Sequence, residues 1–183
     1  DRFMPKPLVK EIDLITVGRI ARSKNLDTLI TALQQLWAVC AVTLTVVGVA
    51  VTAAEKKYEE ELHKKITELQ LTEKVIFIGK VSQTSLPAVL NKSKIFVTVA
   101  TNGSLDKAIL EAMACGLPIV SMAPGSVSLP LGTGQVTDIQ SFVEEVCRVI
   151  ESDQQPVIAD SIFLQENHSL SALIPEILHY YTH

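Results

Sequence analysis

Short apolar runs rich in β-branched residues alternate along this chain with stretches whose apolar residues recur every three or four positions. Residues 12–17 (IDLITV), 42–47 (VTLTVV), 75–78 (VIFI), 95–99 (IFVTV) and 118–121 (PIVS) form the first class. Between them, residues 25–37 place Leu26, Leu29, Ile30, Leu33 and Trp37 on one helical face. Residues 55–69 do the same with Tyr58, Leu62, Ile66 and Leu69. A short helical turn is expected at 85–90, and helices at 105–115 and 138–150, the last with Phe142, Val146 and Val149 inward. The runs lack polar alternation, so each strand is expected to be buried on both faces, which is the environment of a parallel sheet. Strand–helix–strand order with short connections predicts βαβ units. The expected fold is therefore α/β: a Rossmann-like open parallel sheet with helices on both faces.

Composition narrows the class further. With 183 residues, 48% of them hydrophobic, the chain is long enough for one well-buried domain and too apolar for disorder. A formal charge of -4 argues against a nucleic-acid partner. Cys40, Cys115 and Cys147 are odd in number and widely spaced, with no CxxC pair. They read as small buried thiols in a reducing, cytoplasmic compartment, with neither a disulfide framework nor a zinc site. The most apolar window, 42–54, is too short to span a membrane. The N-terminal DRFMPKP is no signal peptide, and because it lacks an initial Met the chain is expected to be a segment of something longer. Residues 170–181 (LSALIPEILHYY) read as a terminal helix started or kinked at Pro175.

In open α/β sheets, ligands gather at the carboxyl ends of the strands. Three loops qualify. The first carries Gly18, Arg19 and Lys24 ahead of a helix: a tight turn, a planar cationic fork and a point charge, suited either to a phosphate or simply to solvent. The second, 100–104, precedes the helix LDKAILEAMACG. There Ser104 is the expected N-cap and Asp106 a first-turn acid, and the free N–H groups of that turn could hold an anion. Glu111 interrupts an apolar stretch that must pack on the sheet, so it needs either a salt bridge or ligand hydroxyls. The third loop, Gly48-Val49-Ala50, offers backbone alone. Lys56, Lys57, Glu59, Glu60 and Glu61 read as a solvated helix face, and the histidines show no ligand spacing. No HExxH, GxSxG, P-loop or GxGxxG motif is present.

Several motifs in order carry a specific resemblance: VGRIARSKNLDTLITAL, LTVVG, KVIFIGKVSQTSLPAVLNKSKIFVTVA and LDKAILEAMACGLPIVS. The chain resembles the nucleotide-sugar-binding C-terminal domain of retaining glycosyltransferases of group 1 (family 4), one half of a GT-B fold. The likeness is close over residues 14–120. It implies an interdomain-linker remnant at 1–11, a nucleotide-sugar-binding domain at 12–168 and a C-terminal helix at 169–183.

By resemblance, Arg19 and Lys24 are the catalytic cations that grip the donor diphosphate, with Gly18 and Gly48 shaping the adjoining turns. Glu111 matches the second Glu of E-x7-E and would hold the ribose hydroxyls. Backbone groups of Ser104, Leu105, Asp106, Lys107 and Ala108 would hold phosphate or sugar, and Lys80 and Val81 fall where the nucleobase lies. The first Glu of the motif falls at Gly103, which removes the carboxylate that contacts the donor sugar in the family. The implied substrate is a nucleotide-diphosphate sugar, with no metal and no other cofactor, and the implied partner is an N-terminal acceptor-binding domain. The departures leave two further readings: a stand-alone donor-site subunit of a split enzyme, or a degenerate, non-catalytic binding domain.

Overall fold

A computed structural model describes residues 3–152 apart from 102, 104, 132 and 133. The sequence-based helix at 169–183 lies outside the described residues. The expected alternation is present. Strand β1 (Ile12–Val17) leads through a 3-10 turn (Arg22–Lys24) into α1 (Leu26–Val39), followed by β2 (Leu44–Val47), α2 (Ala53–Glu68), β3 (Val75–Gly79) and α3 (Leu86–Asn91). Then come β4 (Ser93–Thr98), α4 (Lys107–Ala114), β5 (Ile119–Ser121), a second 3-10 turn (Pro124–Ser126) and α5 (Ile139–Glu151).

The five strands form one sheet in the order β3-β2-β1-β4-β5, every neighbouring pair parallel. Chain order reverses between β1 and β4, so the loops leaving these two strands diverge to opposite faces and open a crevice at their carboxyl ends. Alternating residues of each strand supply two cores. Leu14, Leu44, Val46, Ile95 and Val97 pack beneath α1, α2 and α5 with Leu29, Leu33, Tyr58, Leu62, Phe142 and Val146. Ile15, Val47, Phe96 and Ile119 pack beneath α3 and α4 with Leu86, Leu90, Ile109 and Met113. Two-faced burial thus accounts for the unbroken apolar runs of β1, β2 and β4.

Three differences from the sequence-based expectation have physical causes. The edge strand β3 alternates: Ile76 and Ile78 are 46% and 41% exposed, because α3 and α4 cover the other half of that face. Trp37 is exposed, where the periodicity placed it inward. Leu36 and Ala32 fill the core instead, and the indole carries the Lys74 ammonium 3.9 Å above its ring. The loop after β5 is partly ordered by a parallel bridge from Ser121 to Gln135 and a buried hydroxyl contact between Ser121 and Ser126, 2.6 Å apart.

Phe142 is fully buried where α5 crosses α1 and the sheet. Phe142→Ala should lower unfolding free energy by about 3–5 kcal/mol through lost transfer energy and a residual cavity, measurable as a fall in the urea midpoint.

Candidate functional site

Four loops meet at the carboxyl edge of the sheet, joined by their own backbone groups. Gly18 N–H donates to Val47 O at 2.9 Å, Ile20 N–H to Val49 O at 3.2 Å, Gly48 N–H to Gly79 O at 2.8 Å and Thr101 N–H to Ser23 O at 3.0 Å. The approach of the first two loops is close enough to demand glycine. A Cβ on Gly48 would stand 1.8 Å from Gly18 O, and Gly48 has φ +152°. At Gly18, φ +153°, a Cβ would press on the Lys24 side chain at 2.7 Å.

Lys24 ends the first 3-10 turn, and the following Asn25, with φ 52°, reverses the chain into α1. Its ammonium therefore lies back over Gly18 and across the crevice, where it pairs with the Asp106 carboxylate. Both partners are largely buried, at 20% and 14% side-chain exposure. Asp106 is the N-cap of α4 and not a first-turn acid: its Oδ1 accepts from Ala108 N–H at 3.2 Å and the helix begins at Lys107. That helical amide is thus already occupied. Ser104, the expected cap, lies outside the described residues. Gly103 is exposed with open space around it, and Leu105 is half-buried.

Arg19 projects into solvent from the same loop, 61% exposed, and its guanidinium donates to Glu55 Oε1 at 2.5 Å. Sequence reasoning missed Glu55, although its signal was legible: Thr52-x-x-Glu55 is a capping box at the start of α2, now observed in both directions. The Thr52 and Val51 N–H groups that donate to Oε2 hold the carboxyl below its ordinary value of 4.5. Burial opposes them, and Arg19 lowers it further. Arg22, in contrast, turns away to Glu61 at 2.5 Å and covers the Tyr58 ring, so it belongs to the α1–α2 surface. Glu61 is therefore partnered, unlike a purely solvated face.

Glu111 lies on α4 at 8% side-chain exposure. Its Oε1 is buried, and the Lys107 ammonium one turn back, itself 75% exposed, lies 3.0 Å from that same oxygen as an ion pair off the hydrogen-bonding angle. A buried carboxylate held by one poorly aligned, solvent-exposed lysine is weakly satisfied, and donors arriving from a ligand would satisfy it better. Lys80 and Val81 follow β3 beyond the same edge. Lys80 is exposed, and Val81 packs against the Ile15–Phe96 core. The structure thus brings Gly18, Lys24, Gly48 and Asp106 together directly, with Arg19 and Glu111 on the loop and helix that flank them.

Two measurements check this geometry. Gly48→Ala should destabilise the fold by about 1–3 kcal/mol, since the Cβ meets backbone that cannot rotate aside. Because Glu55 is depressed in the folded state, its stabilisation is fully present above 4.5 and is lost as pH falls through the folded value. The gap in urea midpoint between wild type and Glu55→Gln should accordingly be widest at neutral pH and close below 4.5.

The family profile described as "Glycosyl transferases group 1" matches residues 1–156. No curated protein gives a significant sequence match. Among solved structures, HepE from Anabaena in complex with UDP is similar at 24% identity and TM-score 0.80, over 93% of this chain and 49% of that one. The C-terminal domain of a glycosyl transferase group 1 family protein (LpcC) from Francisella tularensis is 19% identical with TM-score 0.75, over 91% of this chain and 95% of that one. Sucrose-phosphate synthase from Thermosynechococcus elongatus is 19% identical with TM-score 0.79, over 98% and 49%. The chain spans about half the length of the first and third of these. At such identities the likeness is one of fold, and that fold is the Rossmann-like half of a GT-B glycosyltransferase. With the matched span taking in the whole sheet, both loops of the crevice and α4, the chain belongs to the group 1 glycosyl transferases.

Proposed function

We propose that this chain supplies the donor site of an enzyme that transfers a hexose from a nucleoside diphosphate to an acceptor with retention of configuration. The acceptor groups come from a second domain, a reading supported by the match to only about half the length of these structures. The chain alone would bind nucleotide and turn over nothing.

The observation that carries the reading is Glu111. Its buried Oε1 has the exposed Lys107 ammonium 3.0 Å away but off the hydrogen-bonding angle, and the paired hydroxyls of a ribose are better-placed donors of the right kind. Arg19 and Lys24 are the cations for the diphosphate. As the bond from the anomeric carbon to the diphosphate oxygen breaks, charge grows on the leaving group, and fixed positive groups at that point stabilise the transition state more than the ground state. The Arg19 guanidinium can offer two parallel N–H groups to phosphate oxygens, while Lys24 adds a point charge. Glu55 and Asp106 hold these cations near the crevice, and a diphosphate would exchange with those carboxylates. The amides from Ser104 to Ala108 at the start of α4 would complete the phosphate contact once Asp106 releases Ala108 N–H. Lys80 and Val81 would border the base. This scheme calls for no metal. A cytoplasmic location is proposed from the unpaired cysteine usage. Among the described residues, no helix is long and apolar enough to cross a membrane.

A second reading, a degenerate domain without donor binding, is favoured by Gly103 in place of the sugar-contacting carboxylate and by the prior engagement of Lys24 with Asp106. Calorimetric titration with UDP, GDP and ADP separates the two. One diphosphate should bind, with Arg19→Ala and Glu111→Ala each weakening it about tenfold or more, the loss expected for one charge-assisted contact. Absence of binding to all three by the protein carrying both domains would establish the degenerate reading.

A further inference from the structure

Cys40 and Cys147 are 107 positions apart in sequence, yet their Sγ atoms lie 2.8 Å from each other. Cys40 is the C-cap of α1, and its N–H is held by Leu36 O. Cys147 lies on α5, beside the Val146 that anchors this helix to the shared core. Both thiols are half-buried and free, whereas Cys115 is buried on the opposite face of the sheet, behind α4. The two sulfurs are held in contact by the packing of α5 on α1, and a bond would require them to close to about 2.05 Å. Nothing in the donor-site reading uses them.

We propose that Cys40 and Cys147 are a disulfide-forming pair that staples α5 to the end of α1 when the surroundings turn oxidising. The oxidant is a low-molecular-weight disulfide such as oxidised glutathione. The Cys147 thiolate attacks one of its sulfurs and releases a first glutathione thiolate. The Cys40 thiolate then attacks the Cys147 sulfur of the mixed disulfide and releases the second. Two protein thiols lose two electrons and two protons, and one glutathione disulfide becomes two glutathiones.

The order of attack follows from the surroundings of Cys40. Burial pushes its thiol up to about 12, with further contributions from its contact with Cys147 and from the nearby Glu151 and Asp13 carboxylates. Cys40 is therefore a poor first nucleophile. Capping Cys147 removes that residue's share of the shift, and the contact between the two sulfurs makes the second step intramolecular. The crosslink also joins positions 107 apart in sequence, and closing so long a loop restricts the unfolded chain strongly.

The test is oxidation of the native protein in glutathione redox buffers, followed by quenching with N-ethylmaleimide and peptide mapping by mass. The expected result is a Cys40–Cys147 crosslinked peptide, formed equally in Cys115→Ala, with Tm raised by about 5–10 °C over the reduced protein. Cys147→Ala and Cys40→Ala should each give no crosslink and no such rise. The proposal is overturned if native wild type returns Cys40 and Cys147 as separate alkylated or glutathionylated peptides, or if the bond formed involves Cys115.

Discussion

Strand β1 is hydrogen-bonded on both edges and buried on both faces, and the rest of the molecule is arranged by what that demands. Leu14 and Ile15 point to opposite cores, so two layers of helices must be present to cover them. Its neighbours β2 and β4 both run parallel to it, so every connection must run back over a face of the sheet, and the loops leaving β1 and β4 part to opposite faces. The crevice between them therefore follows from the sheet order. On one side of it the first two loops touch: the Gly18 carbonyl occupies the space where any side chain at Gly48 would begin.

Electrostatics at that edge is built in pairs. Lys24 reaches across the crevice to Asp106, and Arg19 reaches sideways to Glu55. Both carboxylates also bond helix starts, Asp106 as the N-cap of α4 and Glu55 as the N3 member of the α2 capping box, so the groups that organise the helices also restrain the cations. A polyanion entering the crevice would meet cations already placed, in exchange for weakening contacts that elsewhere hold helix ends. Glu111 differs, because its buried Oε1 is paired to an exposed lysine that does not meet it at a hydrogen-bonding angle. That weak engagement leaves the carboxylate more available to ligand hydroxyls than Glu55 or Asp106.

Much of this was readable beforehand where a local rule applies. Apolar period and β-branching located the strands and helices within a few residues, because two-faced burial leaves a strong mark on β1, β2 and β4. Glycine between strand and cation marked the first site loop, and an acid among apolar residues marked Glu111. The misplacements are equally local. Helical period alone cannot tell Trp37 from Leu36 as the core residue, since that depends on where the sheet ends beneath α1. Asp106 lies close enough to Ser104 that either could cap α4 by sequence, and the bond that Asp106 Oδ1 accepts from Ala108 N–H decides it.

The sequence by itself determined the parallel sheet, the alternation of elements and the residue types available at the carboxyl edge, because each depends on neighbours within one turn or one strand. Tertiary structure alone decided the pairings across long separations: Lys24 with Asp106, Arg19 with Glu55, and Cys40 against Cys147. Those depend on how strands 30 and 81 residues apart in sequence are brought side by side. Side-chain chemistry specifies what each residue can do, and sheet order specifies which residue it meets.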